Sequence, residues 1–154
     1  MMNMARQQMD ERMLWIRGTI FHHGFICALC VLLANMLVHG FYGHWAPEFH
    51  ENLLMIGLLT FVVSAEMIVR GVYLIDPFQQ RVLLGTLGAA GLILLVLNLW
   101  HIFAQQMPLL EGGGLSQTGA NFLLGLLYTA IPVLQLVFRR IHALRDAAEE
   151  AEED

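Results

Sequence analysis

Four long apolar runs, separated by short polar stretches, organise the chain: residues 18–39, 53–75, 82–104 and 119–138. A bilayer hydrocarbon core of about 30 Å takes roughly 20 helical residues, and each run is of that order. A helix also satisfies its own backbone where no water is present. The pattern therefore predicts an all-α integral membrane protein, a four-transmembrane-helix bundle. Residues 1–17 form a polar N-terminal segment with Met9, Met13 and Ile16 at helical spacing. They are expected as a short amphipathic helix lying at the interface. Residues 139–154 are expected as a helical extension ending in a solvated, frayed acidic tail.

The connections refine this picture. FYGHWAPEFHEN, residues 41–52, places Tyr42 and Trp45 where interfacial aromatics belong. Pro47 breaks helix there, and Glu48 begins the next one. Asp76-Pro77 is expected to end the second span, because proline disfavours helix at the residue before it. The tight connection to Arg81 predicts that spans two and three form an antiparallel hairpin. Gly85, Gly88 and Gly91 open the third span, with Ala89 and Ala90 between. They mark a surface where another helix backbone approaches closely. QQMPLLEGGGLSQT, residues 105–118, reads as a polar loop. Pro132, inside span four, removes one backbone bond and predicts a kink.

Charge then sets an orientation. Hydrophobic residues make up 57% of the chain and charged residues 14%, far from the soluble norm. All eight basic residues are arginine. Arg6, Arg12 and Arg17 precede span one; Arg70 and Arg81 flank the connection between spans two and three; Arg139, Arg140 and Arg145 follow span four. The other two loops hold no lysine or arginine. With four spans, every arginine falls on one side. The positive-inside rule thus predicts a plasma-membrane protein with both termini in the cytoplasm. Six of the thirteen acids lie at or beyond Asp146, so the body is near neutral and carries no nucleic-acid footprint.

Polar residues within or beside the spans are the candidate chemistry. Glu66 and Arg70 share a helical face in the 53–75 run, where Glu66 is expected to sit deep. The pair serves either to fix helix docking or as a protonatable site. An antiparallel arrangement adds His22, His23 and Gln135 at the same cytoplasmic level. The outer level collects Asn35, His39, His44, His50, Asn98 and His101, with Glu48 and Glu51 in the loop. Imidazole and carboxylate suit zinc or iron, so His39, His101, His44 and His50 are candidate metal ligands. His39 and His101 are also conceivable axial ligands of one haem. No cofactor is nevertheless predicted. Cys27 and Cys30 lie mid-span and read as small packing residues. The N-terminal methionines read likewise, rather than as a Cu(I) site. No hydrolase pattern appears.

Asp10-Glu11-Arg12 before span one, and Glu66, Arg70 and Tyr73 in span two, give a likeness over about the first half of the chain. It resembles small bacterial multi-span membrane proteins of unknown function. The resemblance implies a bacterial plasma membrane and no particular activity. Together these readings predict a non-enzymatic accessory or regulatory membrane subunit, in contact with lipid and with another membrane protein or a second copy of itself. The alternatives are a small oligomeric transporter or proton-coupled carrier using Glu66, and a metal- or haem-binding membrane protein.

Overall fold

The computed structural model describes the backbone of residues 2–72 and 77–153, and the side chains of 14–72, 81–141 and 143–145. Four helices carry it: α1 (Met2–Tyr42), α2 (Glu48–Val69), α3 (Pro77–Ala104) and α4 (Gln117–Glu153). Within them Leu14–Tyr42, Glu48–Val69, Arg81–Ala104 and Gln117–Arg145 are long and apolar enough to cross a membrane. Large apolar side chains face outward along them, including Phe25 and Leu32 on α1 and Ile93, Val96 and Trp100 on α3. A surface this apolar on several sides is suited to lipid rather than water.

The helices form a row. α1 lies against α2, α2 against α4, and α4 against α3 in the most extensive contact. α2 and α4 run parallel, and the other two neighbouring pairs are antiparallel. The described arginines 17, 70, 81, 139, 140 and 145 therefore share one end, called here the arginine end; the opposite one is the loop end. Spans two and three are antiparallel as their short connection predicts, but among the described residues their main packing is through α4, which each of them contacts. Asp76 and the rest of residues 73–76 lie outside the described residues.

Glycine explains why α3 prefers α4. A Cβ on Gly91 would sit 2.6 Å from Thr129 Oγ1, 2.7 Å from the Thr129 backbone nitrogen and 3.0 Å from the Gly125 carbonyl oxygen. One on Gly125 would meet Leu95 and the Gly91 carbonyl oxygen at about 3 Å. One on Gly88 would come within 3.0 Å of the Pro132 ring. Such proximity gains dispersion contacts, the main attraction between helices in lipid. α4 remains helical through Pro132 and on through the acidic residues to Glu153, beyond the expected frayed end. Alanine, arginine and glutamate favour helix there.

Two helix limits also differ from expectation. α1 runs unbroken from Met2, so residues 2–17 extend span one rather than forming a separate interfacial helix. Gly18 alone, without proline or a cap, is too weak a breaker. α2 ends at Val69, well before Asp76. Gly71 has φ +65°, its N–H bonds the Ile68 carbonyl at 3.2 Å, and the Val72 N–H bonds the Met67 carbonyl at 3.0 Å. This left-handed cap satisfies the last carbonyls and closes the helix.

At the loop end, β1 (Leu110–Glu111) and β2 (Gly114–Leu115) make a tight hairpin within the predicted loop. Gly112 and Gly113, with φ of +60° and +88°, form its turn. Ser116 caps α4: its hydroxyl accepts from the Gly119 N–H at 3.0 Å and donates to the Pro108 carbonyl at 2.6 Å. The buried core sits below, where Leu54 of α2 meets Ala120 and Leu124 of α4 under Trp45 and Leu115.

Gly91→Ala is expected to lower stability by about 1–3 kcal/mol, as overpacking does. Gly85, whose added Cβ would meet open space, is expected to tolerate alanine with a neutral effect or a gain of at most about 1 kcal/mol. Thermal unfolding of the two variants in the same detergent checks the contrast.

Candidate functional site

The chain reverses between α1 and α2 through two backbone devices. Gly43, φ +79°, closes α1 as its N–H bonds the His39 carbonyl at 3.2 Å. This turns His44 back over His39, and their rings meet edge to face with centroids 4.6 Å apart. Pro47 then caps α2, and its carbonyl accepts from the N–H groups of His50 and Glu51. Proline has no N–H to offer a capping side chain. Glu51 reaches past it to the two preceding residues instead. Its Oε1 accepts from the Trp45 N–H at 2.7 Å and the Ala46 N–H at 3.1 Å.

The other carboxylate oxygen is shared by two histidines. His39 Nε2 lies 2.7 Å and His44 Nδ1 3.2 Å from Glu51 Oε2. An ionised carboxylate only accepts, so both ring nitrogens act as donors. Glu51 is 2% exposed, while His39 and His44 are 33% and 57% exposed. Trp45 lends its backbone to Glu51 and its indole N–H to Asn35 Oδ1 at 2.8 Å. Its carbonyl accepts the Leu115 N–H at 2.7 Å, which joins the α3–α4 hairpin to the same knot. Trp45 is thus a tie between three segments.

The second cluster lies at the arginine end. Glu66 Oε1 accepts from Arg70 Nη2 at 2.8 Å and from His23 Nδ1 at 2.9 Å. The pairing of Glu66 with Arg70 is as its spacing predicts. The depth is not: α2 stops at Val69, so Glu66 falls in its final turn, near one end of the helix. His22 is exposed beside His23, with ring centroids 6.5 Å apart, and Gln135 is half-buried on α4. The described contacts bring Glu66, Arg70 and His23 together.

Glu51 and Glu66 are fifteen positions apart on α2, about 22 Å at 1.5 Å per residue. Each receives a histidine from α1. Between the two levels the helices approach closely, and a Cβ on Gly24 would come 2.8 Å from Val63. A comparison with protein-family models, curated proteins and solved structures finds no match for this chain.

Of the four residues expected to hold a metal, the structure gathers two. His39 Nε2, His44 Nδ1 and a Glu51 oxygen all lie within 4.8 Å of one another. His101 belongs elsewhere, lining a cavity of about 470 Å³ with Asn98, Met107 and Thr118 between α3 and α4. It stands on the helix at the far end of the row from His39, an arrangement that does not suit bis-histidine ligation of one haem. His50 sets its ring edge to face with Phe49, centroids 5.7 Å apart. Glu51 is the residue that sequence reasoning undervalued. The available signal was a carboxylate four residues after a helix-capping proline, preceded by two histidines around a glycine turn.

Glu51→Gln replaces an acceptor with an amide whose NH₂ opposes other donors. We expect a loss of about 3 kcal/mol or more, as for a buried charge-assisted network. His23→Ala, at a half-exposed position, is expected to cost clearly less. Chemical or thermal denaturation of both variants in one detergent decides the order.

Proposed function

We propose that this chain is a multi-pass protein of a bacterial plasma membrane, with both termini in the cytoplasm, acting as a non-enzymatic accessory or regulatory subunit of another membrane protein. The orientation is supported by the shared end of the described arginines together with the positive-inside rule. The role is carried by α1. It touches the rest of the fold along one stripe that includes Ile20, Gly24, Cys27, Val31 and Val38. Phe21, Phe25, Leu29, Leu32 and Met36 remain uncovered. A helix held by one face, and tied to α2 at two levels, leaves an apolar face open to lipid, and on this reading a second membrane protein covers part of it.

A small proton-coupled carrier is the second reading, favoured by the contact of His23 and Arg70 with one Glu66 oxygen. It has less support than the first, because Glu66 lies in the final turn of α2 and its oxygen is already engaged by both partners.

Three measurements test these readings. Reporter fusions after residues 44 and 112 should be active outside the cytoplasm, and one after residue 154 inside. Photo-crosslinkers at Phe25 and Leu32, in native membranes, should give one reproducible protein adduct, and one at Val31 should not. Lipid adducts alone from both outward positions would remove the accessory reading. Proteoliposome flux driven by a pH gradient and abolished by Glu66→Gln would establish the carrier in its place.

A further inference from the structure

We propose that His39, His44 and Glu51 bind one divalent transition-metal ion of the Zn²⁺ class at the loop end of α1 and α2. The donor types fit: two imidazoles and one carboxylate are a common protein set for zinc, leaving the fourth position of a tetrahedron for water or another ligand. They do not suit magnesium or calcium, which favour oxygen.

The spacing fits as well. Zinc takes these donors at about 2.0–2.2 Å, so neighbouring ligands of a tetrahedron stand roughly 3.3 Å apart. Here the two nitrogens lie 2.7 and 3.2 Å from the same oxygen, and the whole set falls within 4.8 Å. Small side-chain movements open the cluster enough to admit an ion. The edge-to-face rings of His39 and His44 already converge on that oxygen.

Two further features prepare the site. The Trp45 and Ala46 N–H groups hold Oε1 and so orient the carboxylate, as outer-shell donors do around metals. Charge points the same way. Glu51 is buried, yet neither loop beside it, residues 40–52 and 105–118, contains a lysine or arginine. Among the described contacts of its carboxylate, the two imidazoles alone can carry positive charge. A divalent cation supplies charge that no guanidinium provides there. Access comes from a cleft of about 420 Å³ lined by His44, Trp45, Pro47 and Glu111.

Binding replaces the N–H···O contacts with lone pairs on the ion. His39 then carries its proton on Nδ1 and His44 on Nε2. Each proton relocates through water if the ring starts neutral, and is released if it starts as imidazolium.

The test uses the full chain, stripped of metal in detergent, titrated with Zn²⁺ by calorimetry and with Co²⁺ by visible absorption. We expect one ion per chain, intense Co²⁺ bands of the tetrahedral kind, and a higher unfolding temperature with Zn²⁺. His44→Ala changes an exposed loop residue and is expected to keep the fold, checked by circular dichroism. It should weaken binding by more than the roughly 10- to 100-fold typical of losing an outer-shell partner, and abolish the thermal shift. His50→Ala and His101→Ala should bind as the parent does, and excess Mg²⁺ should leave the Co²⁺ spectrum unchanged. Substoichiometric uptake, parent-like binding by His44→Ala, an equal loss in His101→Ala or displacement by Mg²⁺ would each overturn the proposal.

Discussion

The Glu51 carboxylate is withdrawn from solvent and given four donors, and every donor comes from a segment with other obligations. His39 belongs to the last turn of α1, His44 to the reversal, and Trp45 and Ala46 to the approach to α2. Trp45 in turn holds Asn35 and Leu115. Leaving a buried carboxylate without donors is costly. The angle between α1 and α2, the shape of their connection and the seat of the α3–α4 hairpin are thereby linked to one side chain. The best-packed part of the interior, around Leu54, Ala120 and Leu124, lies directly beneath it.

The far side of the row is held differently. α3 and α4 meet through Gly88, Gly91 and Gly125, with Thr129 and Pro132 filling the space that the glycines leave. Contact there depends on shape and proximity. Between α1 and α2 the small-residue approach is limited to Gly24, and polar ties stand at both ends. One half of the protein is thus joined by packing along a glycine seam, and the other by a packed stripe with polar ties at its two ends. Disrupting one glycine weakens a continuous surface, whereas disrupting one carboxylate releases several segments at once.

Much of this architecture was legible in the residues. Long apolar runs fix four helices because the bilayer requirement is a matter of length and polarity, and Pro47 and the α3 glycines act locally. The end of α2 was misread because Gly71 closes the helix through a left-handed cap, while the more conspicuous Asp76-Pro77 lies further on. Neighbours were harder. A short connection suggests that α2 pairs with α3, but which faces interlock depends on Gly125 and Pro132 of α4, whose part shows only beside Gly91 and Gly88. The clusters were legible as levels and not as contacts. Depth along a helix follows from counting residues; the rotation that sends His39 toward Glu51, and His101 toward another cavity, does not.

The row order bears on how the chain is made. α2 is synthesised before α3, yet the neighbour it packs against besides α1 is α4, which follows α3 in the chain. Until α4 is made, Leu54 lacks Ala120 and Leu124, and Gly57 lacks the Leu124, Leu127 and Tyr128 side chains beside it. Formation of the individual helices and assembly of the finished fold are consequently separate events. The second waits on α4, so the first three helices form before the partner that α2 and α3 share.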